Sequence, residues 1–298
     1  MGRLELLWAA DEPLERMAAE RRGGRPPGLF GERVAGEVAV PLRADRPSVI
    51  ANFVASLDGI VALGPRARDG GSAISGGSED DRVLMALLRT LADAVVVGAG
   101  TVRAASLHEW TPRGIHPAAA ATAADWRAQL GLAPQPTTIV VTARGWFDRA
   151  HPGLSLADVP VVVATTDEGA RRIRAEGRDA TVRVEALGKG PAVAAAAVVS
   201  LADRLGARLL LCEGGPHLLG AFLEADLLDE LHLTLAPQLL GRDAEAARLG
   251  LVEGIALAPT TAPWGALRSI RRAGDHLFLR YAFGPRAGSG SGRGRTPG

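Results

Sequence analysis

Leu209-Leu-Leu-Cys-Glu-Gly-Gly-Pro-His-Leu-Leu-Gly-Ala-Phe-Leu-Glu-Ala-Asp-Leu-Leu-Asp-Glu-Leu231 decides how this chain folds. Four apolar residues run into a carboxylate, two glycines and a helix start. The pattern predicts a buried strand that delivers Glu213, Gly214 and Gly215 to the mouth of a site. Glycines let a backbone approach a ligand closely. A following helix start at Pro216 offers free N–H groups and a positive dipole end to an anion. Strand, acid, Gly-Gly, helix is therefore a phosphate-seat geometry with one charged side chain beside it.

Ala92-Asp-Ala-Val-Val-Val-Gly-Ala-Gly-Thr-Val-Arg103 follows the same grammar. A short strand over 94–97 ends at Gly98, Gly100 and Thr101. Two such junctions suggest an extended ligand with several phosphates, and a dinucleotide is the first expectation. The common dinucleotide fingerprint needs a small sixth residue for helix packing, and Arg103 stands there instead.

Working outward, Ser48–Leu57 reads as a strand followed by Asp58-Gly59. Gly70–Gly77 reads as a flexible loop. Ser78 with Asp81 forms a capping box for a helix through Leu91, and Val83, Leu84, Leu87, Leu88 and Leu91 share one face. Asp125–Leu130 reads as a short helix. Strands are expected over 138–142 and 159–165, then a helix through Ala175 capped by Asp167. An amphipathic helix over 193–205 precedes the deciding stretch. Glu230–Leu235 alternates as a strand does, and 267–272 with 276–283 flank Gly274-Asp275 as a hairpin. Residues 1–46 read as an N-terminal extension: a helix over Leu4–Met17, then an irregular link broken by Arg21-Arg-Gly-Gly-Arg-Pro-Pro-Gly. The Gly, Ser and Arg-rich tail over 285–298 reads as disordered. The core is then 47–284, an α/β domain with a mostly parallel sheet, helices on both faces and an antiparallel hairpin at one edge. Ligands of such sheets bind at the carboxyl ends of strands, where both glycine junctions, Asp58 and Thr142 fall.

Composition narrows the function. A hydrophobic fraction of 47% and a charged fraction of 22% suit a soluble globular protein. The net charge of +1 gives no electrostatic footprint for nucleic acid or an anionic membrane. No apolar run approaches the ~18 residues of a membrane span. Glu5 and Asp11 interrupt the first apolar stretch, so no signal peptide is read and a cytoplasmic protein is expected. Cys212 is the sole cysteine, which excludes an internal disulfide and a multi-cysteine metal site; at a strand end it reads as a buried structural thiol. His108, His116 and His151 are scattered in loops and read as solvent-exposed. No metal ligands are expected.

Four segments stand together in order: Asn52-Phe-Val-Ala-Ser-Leu-Asp-Gly59, Leu87–Ala104, Glu213-Gly-Gly-Pro-His-Leu-Leu-Gly220 and Leu228–Gly241. They resemble the riboflavin-biosynthesis reductase (RibD C-terminal domain) family, and more closely its stand-alone actinobacterial pyrimidine reductases. The resemblance covers roughly 47–284. It implies a dihydrofolate reductase-like fold, NADPH as hydride donor, a small-molecule substrate and a homodimer. The zinc deaminase that precedes the domain in bifunctional relatives has no counterpart in the residues: its H-x-E and P-C-x-x-C ligands are missing.

Carried over by position, Gly98, Gly100, Thr101 and Val102, with Gly214, Gly215, Pro216, His217, Leu218 and Leu219, would hold the cofactor. Thr142 and Arg144 would suit its 2′-phosphate, since a guanidinium fork matches phosphate geometry. Thr165 and Thr166 would edge its adenosine half. Asn52, Ser72, Arg89 and Glu213 fall on the substrate side, Arg89 as the partner of a substrate phosphate. Asp58 and Glu213 are the candidate catalytic acids, Asp58 as a proton relay or as an ordinary turn residue. Glu213 at a buried strand end needs a hydrogen-bonding partner, and an amino-pyrimidine or pterin edge would serve.

Three departures from the flavin-pathway pattern stand out. Ala73-Ile74-Ser75-Gly76 lacks its tryptophan, Ala105-Ser106-Leu107 replaces Asp-Asp-Pro, and His217 replaces a threonine. His217 would orient a phosphate or cap its helix. The expected function is hydride reduction of a pyrimidine-ribosyl phosphate or a related heterocycle. A dihydropterin or imine reductase and a non-catalytic NADP(H)-binding protein are the alternatives, with another nicotinamide or a deazaflavin as alternative donors.

Overall fold

The apolar runs at 48–56, 94–98, 137–142, 161–165 and 209–212 are buried along nearly their whole length. Continuous apolar strands need cover on both faces, and all five become parallel strands of one sheet. The computed structural model describes residues 3–10, 20–64, 70–105, 109–148, 150–176, 182–243 and 248–284.

The first part of the chain supplies β1 (Glu5–Ala9), β2 (Glu20–Gly24), α1 (Gly28–Arg33), β3 (Val38–Leu42) and β4 (Ser48–Ser56). Next come α2 (Gly70–Ile74), α3 (Glu79–Leu91), β5 (Ala94–Gly98), α4 (Ala99–Ala104), α5 (Pro112–Ile115) and α6 (Ala120–Gln129). Then follow β6 (Thr137–Thr142), β7 (Val161–Thr165), α7 (Asp167–Ala175), β8 (Arg183–Ala186) and α8 (Ala195–Arg204). The last elements are β9 (Leu209–Cys212), α9 (Pro216–Glu224), β10 (Glu230–Ala236), β11 (Ala266–Ala273) and β12 (His276–Ala282).

The main sheet has ten strands in the order β1-β11-β12-β10-β4-β9-β5-β6-β7-β8. It is parallel from β10 to β8, and antiparallel from β10 outward through β12 and β11 to β1. One face carries α1, α3, α6 and α7 through Phe30, Val83, Leu87, Trp126 and Ile173. The other carries α8 and α9 through Val198, Leu201, Leu219 and Phe222. This is the mixed, mostly parallel α/β layout expected, with the hairpin on its antiparallel side.

Helix α3 is the element that the sequence specified best. Ser78 accepts a hydrogen bond from the Asp81 backbone N–H at 3.3 Å, and the apolar face is buried from Val83 to Leu91.

Other expectations need correcting. The helix expected from Leu4 is a strand over Glu5–Ala9, because β11 offers an open edge there; Asp11–Met17 lie outside the described residues, as does the tail from Pro285 onward. Residues 20–46 are not a loose link. β2 pairs with β3, and Phe30, Val34 and Val40 enter the core. Arg280 and Arg271 fasten this segment by donating to the Ala39 carbonyl at 2.6 Å and the Glu37 carbonyl at 2.8 Å. The Gly70–Gly77 loop begins as α2, tied down by the Gln238 amide on the Ala73 carbonyl at 3.1 Å. Helix α7 is capped by Thr166 rather than Asp167, its hydroxyl oxygen accepting from the Gly169 N–H at 3.1 Å.

Candidate active site

The two glycine junctions meet. A Cβ placed on Gly214 would lie 3.3 Å from the Gly98 nitrogen, and one on Gly215 would lie 3.7 Å from Thr101 Oγ1. The contact follows from topology: β9 lies directly beside β5, so their carboxyl ends and the starts of α9 and α4 are neighbours. No side chain caps either helix, which leaves first-turn N–H groups for an anion. A Cβ on Gly98 would meet no atom of the described residues within 4 Å. An uncapped pair of helix starts beside an open glycine fits a diphosphate.

Glu213 and Arg89 close the floor of this site. The guanidinium reaches Glu213 through Nε (3.0 and 3.2 Å) and Nη2 (2.6 Å), a two-pronged pairing. Nη1 donates to the carbonyls of Glu109 (2.8 Å) and Thr111 (3.1 Å). The Arg89 side chain is 0% exposed and that of Glu213 5%. This corrects the expectation for Arg89: it is neither a solvated helix arginine nor open to a substrate phosphate. It is the partner that the buried Glu213 carboxylate needs.

Asp58 is exposed and committed elsewhere. Ser56 Oγ donates to it at 2.6 Å, and the backbone N–H groups of Leu240 and Gly241 donate at 3.1 and 2.6 Å. The Ser56 hydroxyl first, then these amides, hold its pKa down at about 2. These three donors make Asp58 the staple of the loop at Leu240 and Gly241. Asn52 sits in the middle of β4 beside His232, buried, and among the described residues its Oδ1 has no hydrogen-bond partner. It is short of the strand's carboxyl end, where a substrate was expected. Ser72 is exposed on α2.

At the carboxyl ends of β6 and β7, Thr142 donates to the Trp146 carbonyl at 3.1 Å and Thr166 to the Ala143 carbonyl at 2.7 Å. Arg144 is exposed. Thr165 is fully buried, and among the described residues its hydroxyl has no hydrogen-bond partner. Sequence reasoning passed over Trp146, which is 59% exposed with the Arg172 guanidinium 5.3 Å from its ring centre. The signal for it was an aromatic just past a strand end.

Among the remaining cofactor candidates, Val102, Pro216 and Leu219 are buried, leaving only their backbone for a ligand. Leu218 and Thr101 are partly exposed, and Gly100 is exposed at the start of α4. His217 is exposed and does not cap α9. Two histidines expected in solvent are buried: His116, and His151, which lies against Trp110 with ring centres 5.2 Å apart; His108 lies outside the described residues. Cys212 is buried and its pKa is pushed up to about 12 by desolvation, as a structural thiol requires.

Asp81 was read only as a cap partner. Its side chain sits in the first turn of α3, 5% exposed, and Thr234 Oγ1 donates to it at 2.7 Å. Burial pushes its pKa up to about 6.

Residues 47–255 match the RibD C-terminal domain family. A 2,5-diamino-6-ribosylamino-4(3H)-pyrimidinone 5′-phosphate reductase from Archaeoglobus fulgidus is 28% identical over 205 residues, spanning 66% of this chain and 83% of that protein. Among solved structures, a pyrimidine reductase-like protein from Corynebacterium diphtheriae superposes with a TM-score of 0.61 at 22% identity, covering 80% of this chain and 92% of that one. Acinetobacter baumannii RibD superposes with a TM-score of 0.59 at 21% identity, covering 81% of this chain and 59% of that one. At these identities the two structures establish a shared fold. Among the described residues, no helix is long and apolar enough to cross a membrane.

Proposed function

We infer function from one premise: the chain belongs to the RibD C-terminal domain family. We propose that it is an NADPH-dependent reductase of a pyrimidine-ribosyl phosphate of the 5-amino-6-ribosylaminouracil phosphate type. The relative from Archaeoglobus fulgidus carries the name of such a reductase. The observation that carries the reading is the meeting of two uncapped helix starts at Gly98 and Gly215, with the Arg89–Glu213 pair beside them.

The cofactor fits what is present. Gly98, Gly100 and Thr101 with Gly214, Gly215 and the first turn of α9 would hold the diphosphate. Thr142 and Arg144 would hold the 2′-phosphate, and Trp146 offers the adenine a flat face. When bound, the nicotinamide supplies a hydride. The chain's own residues supply alignment. Arg89 fixes the direction of Glu213, whose free lone pairs then face the amino groups of a pyrimidine. Exposed N–H groups of α9 orient phosphate oxygens. The same reading makes the protein a cytoplasmic homodimer.

Calorimetric titration with NADPH, NADH and NADP⁺ tests the cofactor, on wild type and on Thr101→Ala and Arg144→Ala. The reading expects NADPH preferred, and weaker binding in both variants. Binding of no nicotinamide refutes it. Turnover is then sought with the phosphosugar and with dihydrofolate. Arg89 gives a specific reason to include the second. It has no surface left for a substrate phosphate, which favours a dihydropterin or imine substrate if the phosphosugar is not reduced. NADPH binding with no turnover of either compound would favour the non-catalytic binding protein.

A further inference from the structure

Hydride addition to a C=N or C=O carbon leaves a neighbouring heteroatom that must take up a proton, and a positioned acid accelerates this. Asp58, Glu213 and Asp81 all lie toward the carboxyl end of the parallel strands. Asp58 accepts from a hydroxyl and two amides and is too acidic to carry a proton near neutrality. Glu213 has both oxygens on the Arg89 guanidinium. Asp81 has neither a guanidinium nor a backbone amide on it: among the described residues its carboxyl accepts one hydrogen bond, from Thr234, at Oδ1.

We propose that Asp81 is the proton donor of the reduction, a role that rests on the reductase reading above. It stands in the first turn of α3, whose amino end lies at the carboxyl end of the sheet beside α2. It shares α3 with Arg89, which pairs with Glu213. In the step, the Asp81 O–H bond breaks and an N–H or O–H bond forms on the substrate. The adjacent carbon gains hydride from a reduced nicotinamide, which is thereby oxidised. Asp81 is left as a carboxylate and recovers its proton from water. The surroundings suit this cycle. Desolvation and, more weakly, Glu213 favour the protonated form, while the Thr234 hydroxyl on β10, His276 on β12 and Arg82 on α3 favour the anion. The balance sets the group at about 6, where it can both give and regain a proton.

The test is Asp81→Asn, which keeps the shape and removes the transferable proton. With wild type, turnover at saturating substrate should fall tenfold for each step of pH above about 6. In Asp81→Asn, turnover at pH 6 should drop by about 100-fold or more. Its pH profile should lose the inflection, and NADPH affinity by calorimetry should stay within about twofold, since diphosphate contacts are untouched. Thr234→Val removes a donor that favours the anion, so its inflection should move to higher pH; this variant also serves if Asp81→Asn fails to fold. Independently of turnover, infrared difference spectra of the ligand-free protein should show a protonated carboxyl titrating near pH 6 that Asp81→Asn lacks. An active wild type whose Asp81→Asn variant keeps its rate and inflection overturns the assignment of Asp81 alone. A wild type that binds no nicotinamide overturns the reductase reading and this role together.

Discussion

Replacing Arg89 by methionine separates the two roles open to that residue. In the structure the guanidinium is wholly buried and neutralises a carboxylate whose side chain is 5% exposed. Methionine fills much of the same volume and leaves Glu213 charged and unpaired. Removing one partner of a buried ion pair costs about 3–5 kcal/mol, because the surviving charge is stranded away from water. The carbonyls of Glu109 and Thr111 also lose their donor, adding about 1 kcal/mol each where water cannot reach them. The assay is urea unfolding at pH 7, followed by tryptophan fluorescence, on Arg89→Met, Glu213→Gln and the double variant. Arg89→Met should lose at least about 3 kcal/mol, and adding Glu213→Gln should restore most of it, since an amide is far cheaper to bury than a charge. A phosphate ligand behaves differently: Arg89→Met would then unfold like wild type and raise KM for a phosphorylated substrate only. An Arg89→Met loss below about 1 kcal/mol, or no recovery in the double variant, would refute the buried pair as the reason for this arginine.

Two glycines at the same site should respond in opposite ways. Gly98→Ala points a methyl into open space, so calorimetry should find weakened NADPH binding with the melting temperature unchanged. Gly214→Ala drives a methyl to 2.4 Å from Leu218 Cδ2 and 3.3 Å from the Gly98 nitrogen, so it should lower the melting temperature as well. Asp81 has a folded pKa of about 6 above its ordinary 3.8, so the folded state binds the proton more tightly. Stability from this group is complete below about pH 4 and is lost as pH rises to about 6, a penalty of at most about 3 kcal/mol. Asp81→Asn should therefore exceed wild type in stability at pH 8 by urea unfolding, and the gap should close at pH 4. For Asp58→Ala, hydrogen exchange should accelerate at the Leu240 and Gly241 amides, which lose their acceptor, and stay unchanged in α3.

The strands and α3 were legible because their signals are local. Apolar runs such as 94–98 end at glycine, and Ser78 lies three residues before the N–H it caps. The two glycine junctions could be placed together from one further rule, that ligands gather at the carboxyl ends of parallel strands. What stayed hidden depends on partners remote in sequence. Glu5–Ala9 has helix-forming residues, and its fate is set by β11, more than 250 residues away. Arg89 reads as an ordinary helix arginine until β9 brings Glu213 beside it from 124 residues downstream. His151 lies in an irregular stretch and is buried because Trp110 packs against its ring. Propensity and periodicity carry no information about such contacts, and burial reverses the meaning of a polar residue when they form.

The three acids near the strand ends show why that missing information is functional. As residues, Asp58, Glu213 and Asp81 are nearly interchangeable: each is an ordinary carboxylic acid close to a glycine-rich turn. The fold sorts them by donors. Asp58 receives a hydroxyl and two amides in solvent, which fixes the anion and spends it on holding a loop. Glu213 receives a guanidinium, which keeps a negative charge in place where water is scarce. Asp81 receives one hydroxyl and is otherwise desolvated, and this alone leaves it able to hold a proton near neutrality. On the proposed reading, ligand orientation and proton supply rest on different side chains, anchored by β9 and by α3. A chain that kept the Arg89–Glu213 pair and replaced Asp81 by an apolar residue would still align a heterocycle over the glycine junctions, and would have to draw its proton from water.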